Sequence, residues 1–141
     1  MKQKILIVDD DENILFVVKA AVEAQFEVFT ASGGEAGLEI IKTEKPFLVF
    51  LDIAMPGMSG IRVLEIIKEL GLEPVVWMLT GNEDLETAAF TLKGGASGYL
   101  TKPFDVDQLR SVAFNALADA EKNHKQAAAE DKPWRVKKTG T

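Results

Sequence analysis

The sequence predicts an α/β protein in which five helices cover both faces of a five-stranded parallel sheet, a doubly wound sandwich. Two observations lead to this prediction. Short apolar runs recur along the chain, and each run is apolar throughout rather than alternating. Such runs are typical of strands buried on both faces of a parallel sheet. Amphipathic segments separate the runs, which is the order that right-handed β-α-β crossovers produce.

The strands are predicted at residues 5–8, 28–29, 47–51, 75–79 and 99–100. Each helix between or after them is recognised by apolar side chains that fall on one face at helical spacing. These sets are Ile14, Leu15, Val18 and Val22; Ala36, Leu38, Ile40 and Ile41; Val63, Leu64, Ile67 and Leu70; Leu85, Ala88, Ala89 and Leu92; and Leu109, Val112, Ala113, Ala116 and Leu117.

Helix ends are also marked in the sequence. Ser32 with Glu35 three residues later has the form of a capping box, and Asp105 with Gln108 is a looser version of it. Glycine commonly follows the last turn of a helix, so we predict helix ends at Gly71 and at the pair Gly94 and Gly95.

The 141 residues have room for one domain, and we predict that it covers residues 1–120. Residues 121–141 differ in composition, with an alanine-rich charged stretch followed by a basic end. We predict a helical extension there, continuing into Ala127–Ala129, followed by a tail or a linker remnant. This segment is too short for an output domain.

Composition limits the partners and the compartment. Residues 1–120 hold 10 basic and 19 acidic side chains, which argues against direct nucleic-acid binding. The chain has no cysteine, which favours a reducing compartment and therefore the cytoplasm. No apolar run approaches the roughly 20 residues of a membrane span, so we expect no membrane insertion.

Polar side chains follow four of the predicted strands where each strand ends. Asp9 and Asp10 follow the first strand, Asp52 the third, Thr80 the fourth, and Lys102 follows the fifth by two residues. Ligand sites of open parallel sheets form beyond the carboxyl ends of the strands, so these side chains should converge. Crowded carboxylates need a cation, and hard oxygen ligands suit Mg²⁺, often with phosphate oxygens completing its shell. An aspartate there can serve as a nucleophile in phosphoryl transfer.

Four stretches of the sequence resemble the bacterial two-component receiver domain, in the right order and over roughly residues 3–120. The resemblance implies a flavodoxin-like (βα)5 fold with strand order 2-1-3-4-5. The stretches are residues 8–11 (VDDD), 51–60 (LDIAMPGMSG), 79–81 (LTG) and 95–104 (GASGYLTKPF).

The resemblance also implies a role for each residue of the site. Asp52 would be the phosphoacceptor, attacking a phosphoryl group carried by a kinase histidine or a small donor such as acetyl phosphate. Asp10 would bind Mg²⁺ directly and Asp9 directly or through water. Asp52 and the backbone carbonyl of Ala54 would complete the protein ligands. Lys102 would pair with Asp52 before the reaction and with a phosphoryl oxygen after it.

Thr80 and Tyr99 would transmit the conformational change that follows phosphorylation, and Pro103 would set the backbone conformation beside Lys102. Thr80 would bond a phosphoryl oxygen, and Tyr99 would turn into the space that Thr80 vacates. Pro103 would follow a cis peptide bond. Ala54 and Asn82 stand at positions that tune hydrolysis of the acyl phosphate in the family. Neither supplies an acid or base, so we expect a phosphoryl lifetime of minutes or longer.

The implied protein is a signalling switch that phosphorylates and dephosphorylates itself, not a turnover enzyme. Its donor would be a sensor histidine kinase or phosphotransfer protein. Its output would pass through helix 4, strand 5 and helix 5 to a downstream protein, to a missing output domain or to a second copy in a homodimer. Phe90 lies off the apolar stripe of helix 4, where it is either an exposed contact or an edge-of-core ring.

Two other functions are compatible with the same winding. A Mg²⁺-dependent aspartyl phosphohydrolase would need a second acid two residues after Asp52, where Ala54 stands. A flavodoxin-like cofactor protein would need a phosphate-cradling glycine-rich loop after the first strand, where Asp9 and Asp10 would instead repel the phosphate of FMN.

Overall fold

The computed structural model describes residues 2–81 and 85–130, with the side chains of 123–130 excepted. Strands and helices alternate along the chain. In order they are β1 (Lys4–Val8), α1 (Glu12–Val22), β2 (Glu27–Ala31), α2 (Gly34–Glu44), β3 (Leu48–Asp52), α3 (Gly60–Glu69), β4 (Val75–Thr80), α4 (Leu85–Lys93), β5 (Gly98–Thr101) and α5 (Val106–Glu130).

The strands form one parallel sheet in the order β2-β1-β3-β4-β5. This confirms the predicted flavodoxin-like fold and strand order. The sheet is buried on both faces, because alternate residues of the central strands enter two separate clusters. Leu6 and Val49 pack with α2 and α3 on one face. Ile7 and Phe50 pack with α1 and α5 on the other. The continuous apolar runs of the sequence therefore arise from strands that are buried on both faces of the sheet.

Side chains cap several helix starts. Asp11 accepts a hydrogen bond from the Asn13 amide at 2.9 Å at the start of α1, and Asp105 accepts one from the Asp107 amide at 2.9 Å at the start of α5. Glycines in the left-handed region follow α3 and α4, at Gly71 with φ 69° and Gly95 with φ 110°, as predicted.

The predicted capping box at Ser32 is wrong. Gly33 is the residue that precedes α2, and no side chain caps that helix. The helix begins later because Gly34 packs against α3. A Cβ there would lie 2.8 Å from Val63 Cγ2, so the close approach of two helices decides this start rather than a polar side chain.

The predicted apolar stripe of α4 is also wrong in part. Ala88 and Thr91 are its buried residues, whereas Leu85 is 43% exposed, Leu92 is 40% exposed and Ala89 is exposed. The two buried side chains are small, and both leucines lie at the surface. Phe90, offered as a candidate exposed contact, is 63% exposed.

The last helix continues to Glu130 and so includes Ala127–Ala129. Its packed part begins at Val106 and buries Leu109, Val112 and Ala113 against the sheet. No helix among the described residues combines the length and the apolar content that crossing a membrane requires.

Candidate functional site

The parallel register brings the polar residues at the strand ends together. Val8 pairs with Leu51 and Asp52 pairs with Leu79, so the residues that end β1, β3 and β4 lie side by side. Lys102 joins them because its backbone amide donates to the Thr80 carbonyl at 2.7 Å. The convergence expected from the sequence is therefore present at the carboxyl edge of the sheet.

Three carboxylates form the centre of this site. Asp9, Asp10 and Asp52 each offer an oxygen, and these oxygens lie within 4.8 Å of one another. Asp9 is fully buried and Asp52 is 4% exposed, whereas Asp10 is exposed. The Asp9 Oδ1 atom also accepts a hydrogen bond from the Asp11 amide at 2.9 Å, which fixes the orientation of its carboxylate.

Lys102 extends its ammonium group into this cluster. The Nζ atom lies 2.7 Å from Asp9 Oδ2 and 3.3 Å from Asp52 Oδ1. The resemblance implied a contact with Asp52, and that contact is present. The shorter contact is with Asp9, which the sequence did not indicate. One ammonium thus partly neutralises two buried carboxylates.

Burial perturbs the titration of Asp52 and Lys102. Removal from water and the neighbouring charge of Asp9 raise the pKa of Asp52 from 3.8 to about 7, against the opposing attraction of Lys102. Burial lowers the pKa of Lys102, but its hydrogen bond to Asp9 and the two carboxylate charges outweigh this, so the pKa is raised. The crowding of carboxyl groups thus opposes the ionisation of Asp52 more than one ammonium favours it.

Known proteins share this fold. A model of the response regulator receiver domain matches residues 5–114. The chain belongs to that family. The Bacillus subtilis sporulation initiation phosphotransferase F is 34% identical over 118 residues, covering 83% of this chain and 95% of that protein. The receiver domain of NtrX from Brucella abortus is 36% identical with a TM-score of 0.76, covering 81% of this chain and 98% of that one.

Several relatives of this receiver domain are longer proteins. The B. subtilis alkaline phosphatase synthesis transcriptional regulatory protein PhoP is 38% identical over 105 residues, which cover 74% of this chain but 44% of that protein. In other matched regulators, the segment that aligns with this chain makes up a quarter to a half of the regulator's length. The similarity to such regulators therefore concerns their receiver domains.

The donor atoms of the receiver site fit Mg²⁺. Asp9, Asp10 and Asp52 supply hard carboxylate oxygens, which suit Mg²⁺ rather than metals that prefer nitrogen and sulfur. The exposed position of Asp10 leaves one side of the cluster open, as a cation that keeps several waters requires. Ala54, the remaining expected ligand, lies two residues beyond the end of β3 in an exposed position.

The structure describes Thr80, Tyr99 and Pro103, three of the other expected residues. Thr80 is buried, and its hydroxyl donates to the Gly81 carbonyl at 3.1 Å. Tyr99 is 36% exposed, so its ring lies at the surface. The Lys102–Pro103 peptide bond is cis, as the resemblance implied. Asn82, expected to affect hydrolysis, lies outside the described residues.

Sequence reasoning assigned no role to Gly60, although this residue touches the backbone of Asp52. Its amide also donates to the Ile53 carbonyl at 2.9 Å. The available signal was the residue type alone, a glycine directly after the capping residue Ser59, whose side chain accepts from the Arg62 amide. Glycine is a poor helix former, so its presence at a helix start can indicate a close backbone approach.

Proposed function

We propose that this chain is a phosphoacceptor switch of a two-component phosphorelay that takes a phosphoryl group onto Asp52 in a Mg²⁺-dependent reaction. One observation carries the proposal: the carboxylate of Asp52 is buried beside two further carboxylates and the ammonium of Lys102. Such a pocket can hold an anionic phosphoryl group only together with cations, and the receiver family uses it in that way.

The chemistry of the proposed step follows from the residues. An Asp52 oxygen forms a bond to phosphorus while the bond from phosphorus to the donor nitrogen or oxygen breaks, and the donor keeps that electron pair. Mg²⁺, when bound, would supply positive charge for the phosphoryl oxygens. Lys102, now 3.3 Å from Asp52, would move to a phosphoryl oxygen. Neutralisation and positioning of this kind are what phosphoryl transfer requires.

The phosphoryl group would change the surface through Thr80 and Tyr99. The Thr80 hydroxyl now bonds the Gly81 carbonyl, and a phosphoryl oxygen would compete for it. Movement of Thr80 toward that oxygen would leave space for the Tyr99 ring, which is partly exposed. These movements would alter the face formed by α4, β5 and α5. A partner that binds one shape a few kcal/mol better than the other would read the change.

The α4–β5–α5 face is suited to such a partner because it already exposes large apolar side chains. Its exposed members include Leu85, Phe90, Leu92 and Tyr99. We propose that it binds a downstream protein, an output domain of a longer regulator or a second copy of this chain. Residues 1–120 would form the receiver domain, and residues 121–141 a helical extension with a tail or linker.

The proposed phosphodonor is a sensor histidine kinase or a phosphotransfer protein. We place the protein in the cytoplasm, where such donors present their phosphoryl groups and where a chain without cysteine is at no disadvantage. The acidic charge of residues 1–120 leads us to propose protein partners rather than direct binding of nucleic acid by this domain.

Intact mass spectrometry after incubation with acetyl phosphate tests the proposal. The wild type should gain one phosphoryl group when Mg²⁺ is present and none when EDTA is present. Asp52→Asn should gain none, while Asp107→Asn, the same change at an exposed carboxylate, should behave as wild type. Phosphorylation of Asp52→Asn would contradict the acceptor assignment. Continuous turnover of p-nitrophenyl phosphate would instead favour a phosphohydrolase.

Amide hydrogen exchange with and without beryllofluoride tests the proposed output. Beryllofluoride imitates the phosphoryl group on aspartate without forming a lasting covalent bond. The largest changes in exchange should fall on α4, β5 and the first turns of α5. Changes confined to α1 and α2, with unchanged exchange around Tyr99, would show that the signal leaves the domain elsewhere.

A further inference from the structure

The first residue of α3 lies against the backbone of the proposed phosphoacceptor. A Cβ atom built on Gly60 would overlap the carbonyl oxygen of Asp52. It would also lie 2.8 Å from the carbonyl carbon of Asp52 and 2.9 Å from the Cα of Ile53. The Gly60 amide donates to the Ile53 carbonyl at 2.9 Å. The start of α3 is thus held to the end of β3 by contact and by hydrogen bond.

This close approach differs from those of three other closely packed glycines. A Cβ on Gly34 or Gly37 would meet the side chain of a valine, and one on Gly98 would meet the indole of Trp77. Side chains can change rotamer to make room at modest cost. The atoms facing Gly60 belong to the main chain, so a methyl group there must move the backbone of Asp52 or the start of α3.

We propose that Gly60 is a positioning residue for the phosphoryl transfer onto Asp52. The missing side chain lets α3 rest on the Asp52–Ile53 backbone, and this contact fixes where the Asp52 carboxylate stands relative to Asp9 and Lys102. The Gly60–Ile53 hydrogen bond also closes the loop that carries Ala54. The proposal rests on the proposed function, because Asp52 is the reacting group in both.

The geometry of the pocket makes this position sensitive. Asp52 stands 3.3 Å from the Lys102 ammonium and shares the carboxylate cluster with Asp9 and Asp10. A methyl group at Gly60 would force a displacement of about 1 Å, and a misplacement of that size can slow a reaction by about 100-fold. The affinity for Mg²⁺ should fall as well, because the carboxylate oxygens would no longer meet at one point.

The test compares Gly60→Ala with Gly98→Ala. The second variant inserts the same methyl group at a site where it would also clash, 2.6 Å from the nearest Trp77 atoms, but with a side chain instead of the Asp52 backbone. Urea unfolding and circular dichroism give the stability and the folded fraction of each variant. The rate of phosphorylation by acetyl phosphate is then measured at saturating Mg²⁺, and the Mg²⁺ dissociation constant by calorimetry without any phosphodonor.

Gly60→Ala should react about 100-fold more slowly than wild type and bind Mg²⁺ several-fold more weakly, while Gly98→Ala stays within about twofold of wild type in both. Equal rates and affinities for Gly60→Ala and wild type would overturn the proposal, as would equal losses in the two variants. If wild type itself takes no phosphoryl group, the proposed function fails. The Mg²⁺ affinities then still decide whether Gly60 positions the carboxylates.

If Gly60→Ala does not fold, hydrogen exchange of the Gly60 amide in the wild-type protein tests the proposal. A fixed contact predicts exchange at least about 100-fold slower than that of Gly57, a glycine in the exposed part of the same loop. Exchange of Gly60 as fast as that of Gly57 would show that α3 is not held against Asp52, and the proposal would be wrong.

Discussion

Replacement of Asp52 by asparagine should stabilise the metal-free protein at neutral and higher pH. Burial and the charge of Asp9 raise the pKa of this carboxyl from 3.8 to about 7. The folded chain therefore holds the proton to a higher pH than the unfolded chain does, and ionisation costs the folded state free energy. Wild type should lose this stability between about pH 4 and pH 7 and lose no more above that, whereas asparagine does not ionise.

The size of the effect follows from the two pKa values. The rise in pKa from 3.8 to about 7 corresponds to roughly 4 kcal/mol, since each pKa unit is worth about 1.36 kcal/mol. This figure is an upper limit because the pocket can relax. At pH 5 the same reasoning gives roughly 2 kcal/mol. The advantage of Asp52→Asn over wild type should thus grow by roughly 2 to 3 kcal/mol between pH 5 and pH 8.

Urea unfolding of both proteins in EDTA, at half-unit pH steps from 5 to 8, measures this difference. Asp107→Asn is the matched control, since it makes the same chemical change at a side chain that is 86% exposed. That variant should show no such growth. An advantage of Asp52→Asn that stays constant over this pH range would refute the reasoning, because it would mean that Asp52 titrates alike in the folded and unfolded chains.

Three further outcomes are expected. Asp10→Ala should weaken Mg²⁺ binding by at least about tenfold in calorimetry, whereas the control Glu12→Ala should not. Equal Mg²⁺ affinities for Asp10→Ala and wild type would mean that Asp10 is not a ligand. Lys102→Ala should slow phosphorylation by acetyl phosphate by roughly 100-fold or more, since a preorganised cation is lost, and an unchanged rate would contradict its role. The phosphoryl group on Asp52 should persist for minutes or longer in a mass-spectrometric time course, because Ala54 supplies no acid or base; decay within seconds would disprove this.

Most of the fold could be predicted from the sequence because burial on two faces leaves a direct pattern. The β3 strand, which is buried at every position, reads as an uninterrupted apolar run ending in Asp52. The pocket was predictable for a related reason: parallel strands that end together bring their following residues together. Asp9, Asp52 and Thr80 each follow or end such a run.

Other features depended on distances between elements, which a single sequence does not contain. The leucines of α4 share a helical face with Ala88, yet only the small side chains of Ala88 and Thr91 are buried. Ser32 has the right type for a cap, but packing of Gly34 on α3 places the helix start later. The shorter contact of Lys102 with Asp9 likewise reflects the position of two neighbouring carboxylates.

The packing of Trp77 on Gly98 gives this protein a built-in optical probe. The indole lies on β4 over the first residue of β5 and borders a groove of about 470 Å³ beside α5. Indole emission depends on the polarity around the ring, so a displacement of β5 would change the emission wavelength or intensity of Trp77 without any attached label. The chain has one other tryptophan, Trp134, and Trp134→Phe would leave Trp77 as the single emitter. Stopped-flow fluorescence could then follow the conformational change in real time, beside the chemistry followed by mass.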